Sequence, residues 1–106
     1  MSYRVIVNET AELDIEDGTE WYEVQQNGLG RIFLLSVQDT LKLLTKNPFI
    51  YVKVYFTIRR ALTKKFPYSV FYYIDETKKE VTVFAVVNSS RNPNTWQRRA
   101  NDILRH

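Results

Sequence analysis

The sequence predicts an α+β domain in which an antiparallel helical hairpin packs on an antiparallel β-sheet and a short helix ends the chain. Three observations carry that reading. Apolar residues recur at helical spacing from Asn8 to Lys46 and alternate at period two from Tyr51 to Asn88. Only Asn27 to Gly30 separate the two helical stretches. The 106 residues suit one domain, spanning residues 1–106.

Tyr3, Val5 and Val7 alternate with Arg4 and Asn8, the pattern of a short first strand. The period then changes. Ala11, Ile15, Tyr22 and Leu29 fall near one helical face, while Glu9, Glu12, Glu16, Glu20 and Glu23 occupy much of the rest and read as a solvated face. Asn8 or Thr10 suits the N-cap, and acids in the first turn complement the macrodipole. Gly28 closes the helix, because glycine takes the left-handed conformation without steric cost. Gly18 falls mid-helix, where it costs about 1 kcal/mol relative to alanine, so it predicts close packing against a neighbour. In the second helix, from about Gly30 to Lys46, Phe33, Val37, Leu41 and Leu44 form a buried stripe. Asn47-Pro48 ends it.

From Tyr51 to Arg59 the alternation predicts one strand, with Val52, Val54, Phe56 and Ile58 on one face and Lys53, Tyr55, Thr57 and Arg59 on the other. Tyr68 to Asp75 and Val81 to Asn88 form the next two, joined as a hairpin by Glu76 to Lys79. In the last strand Val81, Val83, Ala85 and Val87 alternate with Thr82, Phe84, Val86 and Asn88. Both faces are apolar, which places it inside the sheet. Asn92-Pro93 opens a final helix, with Trp96, Ala100 and Leu104 inward and Arg98, Arg99 and Arg105 in water.

Hydrophobic residues make up 44% of the chain, which fits a globular protein, and the absence of cysteine excludes disulfides and thiolate metal sites. Charge is segregated. Residues 1–30 hold one basic and seven acidic side chains, residues 31–106 fourteen basic and five acidic, and the net is +3. A polyanionic partner suits the basic part; a solvated acidic helix beside an ordinary basic surface is the plainer reading. The first residues lack the apolar core of a signal peptide, and no run approaches the roughly 18 apolar residues of a membrane span. The expectation is a soluble, cytoplasmic protein without a membrane partner.

The single histidine is His106, at the end of the chain. No nucleophile–base pair, glycine-rich phosphate loop or metal-ligand cluster can be drawn, so no catalytic residue, metal or cofactor is assigned. The chemistry on offer is cationic. Lys53, Tyr55 and Arg59 share a strand face, and Arg91 follows the last strand. Charge for phosphates interleaved with rings for unstacked bases is what single-stranded RNA binding asks for. Tyrosines covering a half-exposed sheet, with arginines at its margin, would give the same pattern.

Ile58-Arg59-Arg60-Ala61-Leu62, Phe66-Pro67-Tyr68, Phe71-Tyr72, Ala85-Val86, Ser89-Ser90-Arg91-Asn92-Pro93 and Trp96 follow Trp21-Tyr22, Gly28-Leu29-Gly30, Phe33 and Asn47-Pro48. In this order and spacing they resemble the RelE/ParE toxins of bacterial toxin–antitoxin pairs, and the ParE branch in particular. The resemblance spans nearly the whole chain. RelE-like members are ribosome-dependent mRNA endonucleases that use clustered basic residues with a late tyrosine or histidine. Here Ser69 stands where one arginine is placed, no tyrosine follows Tyr73, and Asn88 occupies a position that is often histidine. The resemblance therefore implies a ParE-like toxin that poisons DNA gyrase and is not a nuclease. Target-binding residues would be Lys53, Arg59, Arg91, Trp96 and Arg98. A cognate antitoxin tail would fold over the hairpin and sheet, anchored at Trp21, Tyr22, Phe33 and Leu41, with an acidic stretch at Arg59, Arg91 and Arg98. The alternative it implies is an mRNA endonuclease using Lys53, Arg59 and Arg91. A third is a relative retained only for antitoxin binding.

Overall fold

The computed structural model describes residues 2–105, so His106 lies outside the described residues. The elements run β1 (Arg4–Val7), α1 (Glu9–Gln25), α2 (Leu29–Lys46), a 3-10 turn (Pro48–Ile50), β2 (Lys53–Tyr55), β3 (Ile58–Leu62), β4 (Tyr68–Asp75), β5 (Glu80–Asn88) and α3 (Asn94–Leu104). The sheet order is β1-β5-β4-β3-β2. All ladders are antiparallel except one: β1 runs parallel to β5. The wholly antiparallel sheet expected from sequence is corrected at that edge, because β1 reaches β5 only after the whole hairpin and three strands intervene, and no tight turn dictates its sense. No helix among the described residues is long and apolar enough to cross a membrane.

Each sheet face has its own core. The α1–α2 hairpin buries Ala11, Phe33, Val37 and Leu44 against Ala61, Val70, Tyr72, Val81, Val83 and Val86. On the reverse face α3 lays Ala100, Trp96 and Ile103 over Ile58, Phe71, Phe84, Ala85 and Val87. Leu104, expected inward, is exposed.

The hairpin follows its sequence signals closely. Asn8 caps α1, its Oδ1 accepting the Ala11 N–H at 3.0 Å. Gly28 sits at φ 90° and starts α2. Glu23, one of the acids read as merely solvated, closes the turn: its carboxylate accepts the N–H groups of Gly28 at 2.9 Å and Gly30 at 3.0 Å, two orphan donors at the start of α2. Gly18 is buried, and a Cβ there would lie 2.8 Å from Cε2 and Cζ of Phe33. Phe33 is itself fully buried among Tyr22, Phe66 and Tyr68, so it has nowhere to go. Gly18→Ala is expected to cost about 1–2 kcal/mol, the overpacking penalty outweighing the gain in helix propensity. A lower urea midpoint at unchanged m value checks it.

Two strand expectations are corrected. Residues 51–59 do not form one strand: a two-residue turn at Phe56-Thr57 separates β2 from β3, with Phe56 at φ 53°. The side chains accordingly leave the expected faces. Val52 and Phe56 are exposed and Ile58 is fully buried. Register places Lys53 opposite Arg59 and Arg59 opposite Tyr72, on the hairpin side, whereas Tyr55 packs on the α3 side. A bulky residue at positive φ is strained, and Phe56 is 73% exposed, so burial does little to offset it. Phe56→Asn is expected to raise stability by up to about 1 kcal/mol, read as a melting temperature a few degrees higher.

The second correction lies in β5. A bulge between Phe71 and Tyr72 in the β4–β5 register leaves Phe84 as an extra residue. Val81, Val83 and Val86 face the hairpin, and Phe84, Ala85 and Val87 face α3, so the strict alternation breaks. The carbonyl of Phe84 accepts from Thr10 Oγ1 and Arg99 Nη1, both at 3.1 Å. The next outward N–H, that of Val86, donates to Asp14 Oδ2 at 3.0 Å. Arg99, expected in water, is bidentate to Asp14 at 2.6 and 3.2 Å.

Candidate functional site

A groove of about 640 Å³ lies between α1 and the last residues of β5. Asp14, Asp17, Gly18 and Trp21 form one wall, Tyr22, Pro67 and Tyr68 the floor, and Asn88, Ser90 and Arg91 the far rim. The groove exists because β1 stops at Val7, opposite Val83, while β5 continues to Asn88. Helix α1 then runs beside the strand that β1 no longer covers.

Its aromatic surface is built by packing. Tyr22 lies 4.8 Å from Phe66 and 5.1 Å from Phe33 between ring centroids, with Trp21 edge-on to it at 5.1 Å. Trp21 is 57% exposed although it sits on this shelf. Burial raises the Tyr22 phenol above its ordinary pKa. Burial, and after it the neighbouring Tyr22, raise Tyr68; Arg91 pulls it the other way, and Asp14 and Asp17 add to the rise. Both phenols therefore stay protonated near neutral pH and offer hydrogen bonds, not general bases. Asn88 Oδ1 is occupied as an acceptor from the Ser90 N–H at 2.9 Å and the Ser90 hydroxyl at 2.7 Å. The groove is equipped for recognition: an aromatic floor, a carboxylate wall and an arginine at the rim.

A second cleft, of about 500 Å³, lies at the opposite end of β4, lined by Phe49, Lys53, Thr57, Arg59 and residues Tyr73 to Thr77. Arg59 is half-buried there and bonded to the main chain, Nη1 donating to Phe49 O at 3.1 Å and Tyr51 O at 2.6 Å. Its guanidinium also lies 5.4 Å from the centre of the Phe49 ring. Next to it, burial lifts the Tyr72 phenol above its ordinary pKa against the opposing pull of Arg59. Tyr72 donates to Pro48 O at 2.6 Å.

The sequence-predicted residues thus fall into separate groups. Trp21, Tyr22 and Arg91 meet in the groove. Lys53 and Arg59 meet in the second cleft, five strand residues away along β4 if measured from Tyr68 to Tyr73, about 17 Å. Lys53 and Arg59 therefore line one concavity and Arg91 another. Arg98 is exposed on α3. Trp96 on the same helix stacks on Phe71 at 4.3 Å and 16°, holding α3 to the sheet rather than standing free. Tyr55 donates to Asn101 Oδ1 at 2.6 Å beside it, so the ring-studded face expected to be open is covered. Phe33 is fully buried and Leu41 packs against the core, leaving neither as a free anchor. Sequence reasoning missed Asp14, Tyr68 and Arg99. Asp14 and Arg99 carry no local signal, being 85 positions apart.

The profile of the ParE toxin of the type II toxin–antitoxin system, parDE, matches residues 5–93. No curated protein matches by sequence. Among solved structures, the chromosomal ParDE toxin–antitoxin system from P. aeruginosa superposes with a TM-score of 0.69 at 13% identity, covering 81% of this chain and 95% of that one. The intact E. coli RelBE toxin–antitoxin complex gives 0.63 at 16% identity, covering 84% and 99%. The RelBE2 complex from Mycobacterium tuberculosis gives 0.57 at 17%, covering 83% and 92%. At these identities the superpositions speak for the fold, and the profile, spanning most of the sequence, speaks for descent. The chain belongs to the ParE toxin family of type II toxin–antitoxin systems and has the α+β fold of the RelE/ParE toxins.

Proposed function

We propose that this chain arrests growth as a ParE-like toxin of the cytoplasm, binding DNA gyrase and stalling it on broken DNA, and that a cognate antitoxin neutralises it. The observation that carries the reading is the make-up of the groove. It gathers Trp21, Tyr22, Tyr68 and Arg91 for contact, and where relatives often place a proton-exchanging histidine it has Asn88, already engaged with Ser90. The separation of Arg91 from Lys53 and Arg59 supports the same side, since an endonuclease of the RelE kind needs its cations on one phosphate. Several of the similar solved structures are of toxin–antitoxin systems or complexes, which supports an antitoxin partner here. Residues free to touch the target are Arg91 and Arg98, with Lys53 at the second cleft. Arg59 and Trp96 contribute by holding β2 and α3 in place.

Two assays run on the same purified chain test it: gyrase supercoiling with trapping of cleaved DNA, and cleavage of ribosome-bound mRNA. Gyrase inhibition with intact message is the expected result. Cut message with active gyrase would establish the endonuclease, and silence in both, with antitoxin still bound, would leave a binding-only relative.

A further inference from the structure

Resting on the reading that this chain acts by gripping a protein target, we propose that Phe56 anchors that contact: the turn between β2 and β3 presents its ring to an apolar pocket on the target protein. The turn carries two costs that stability does not explain. Phe56 is the first of the two residues linking Tyr55 to Ile58, and it stands at φ 53°, a conformation that glycine or asparagine normally takes. Its ring is also left in water. Lys65 and Lys79 share the positive φ, but their ammonium groups are at home in solvent. Backbone strain of this kind clusters where a function needs it, and here the side chain that incurs it is apolar and exposed.

The ring is held ready. Trp96 stacks on Phe71 in the core beneath α3, and Tyr55 meets Trp96 edge-on at 5.9 Å and 84°. Phe56 in turn meets Tyr55 edge-on at 4.9 Å and 82°. The Tyr55 hydroxyl, bonded to Asn101 Oδ1, fixes the middle of this row. Phe56 is thus the outer end of an aromatic row rooted in the core, on the outermost hairpin of the sheet. A ring already ordered in this way loses little rotamer freedom when a partner closes over it.

The surroundings favour a protein over a nucleic acid. Thr57, the other turn residue, lines the second cleft, where Lys53 and Arg59 stand with Asp75 and Glu76. Two cations against two acids leave no net charge for a phosphate backbone, and Arg59 is already spent on the carbonyls of Phe49 and Tyr51. Ile50 and Val52, just before β2, are exposed as well. An aromatic anchor with apolar neighbours and balanced charges beside it has the make-up of a protein interface, apolar at its centre and polar at its rim.

The test compares the parent chain with Phe56→Leu and Phe56→Asn, reading melting temperature, growth arrest and inhibition of gyrase supercoiling. Phe56→Asn relieves the turn and removes the ring. It is expected to melt no lower than the parent, to lose growth arrest, and to need about thirtyfold more protein for half-inhibition. Phe56→Leu keeps an apolar side chain at the same φ and is expected to fall between the two. Inhibition then declines from the parent to Phe56→Leu to Phe56→Asn without a parallel decline in stability. A benzoylphenylalanine introduced at position 56 is expected to crosslink to a gyrase polypeptide on illumination. Undiminished growth arrest by Phe56→Asn would overturn the proposal, and so would a drop in its melting temperature, which would make the ring a packing residue. An adduct on DNA or on a second copy of the chain would overturn it too. The target and the anchor fail separately. If the parent inhibits gyrase and Phe56→Asn inhibits it equally, only the anchor falls. If the parent leaves gyrase active, while Phe56→Asn loses growth arrest and the adduct forms on another polypeptide, only gyrase falls. A parent chain that arrests no growth removes both.

Discussion

Arg91→Ala is expected to abolish growth arrest and to leave the urea midpoint where it is in the parent chain. The first half follows from position. Arg91 is exposed at the rim of the groove, and its field reaches Tyr68 on the floor. An arginine at the margin of an aromatic shelf is the type of side chain that dominates protein interfaces, where truncation costs about 2 kcal/mol or more, roughly a thirtyfold loss of affinity. The second half follows from its lack of obligations. Its backbone N–H closes a turn on Asn88 O, which alanine keeps, and its side chain pairs with no acid among the described residues. Surface changes of that kind stay within about 0.5 kcal/mol. Arg59 offers no such separation: it ties down the carbonyls of Phe49 and Tyr51, so Arg59→Ala would confound loss of contact with loss of structure. A folded Arg91→Ala protein that still arrests growth would remove this residue from the target-binding surface.

The parts of the fold written in local rules were readable, and the parts written in long-range pairing were not. Phe33, Val37 and Leu44 repeat at helical spacing, Gly28 needs positive φ, and Gly18 has no place in a helix unless a neighbour crowds it; Phe33 does. Between Tyr51 and Arg59 the alternation ran straight through a hairpin turn, because Phe56-Thr57 carries none of the glycine or asparagine that normally marks one. In β5 every residue near the bulge is apolar, so nothing in the pattern shows that Phe84 and Ala85 share a face. The site suffered in proportion. Trp21, Tyr22 and Arg91 were selected and do meet. Lys53 and Arg59 were grouped with Arg91 on the strength of a single long strand, and the turn at Phe56 sends them to a different cleft. The acids of α1 looked alike as a solvated stripe, yet Glu23 caps a helix and Asp14 grips an arginine.

That grip carries a large stability effect. Asp14→Ala is expected to cost about 3 kcal/mol, because it strands two donors at once. Arg99, with 28% of its side chain exposed, would lose a bidentate partner whose own side chain is 14% exposed. Val86 N–H, pinned at a strand edge with no β1 residue beside it, would lose its acceptor. For a domain of this size the melting temperature should fall on the order of 12–20 °C. Asp14→Asn, which keeps one acceptor, should cost about half as much. The decisive variant is the double change Asp14→Ala with Arg99→Met. If the penalty is the stranded charge, the double variant recovers part of the loss, with a coupling of about 1–2 kcal/mol. Additive losses would instead mean that the two residues act separately. The pair also ties α3 to the two elements that form the groove, since α1 supplies Asp14, α3 supplies Arg99, and the pair reaches the β5 backbone at Phe84 and Val86. Loosening it should therefore open the groove before it unfolds the chain. Partner binding through the groove is expected to weaken at temperatures where the Asp14→Asn protein is still folded, and intact affinity there would show that the clamp serves stability alone.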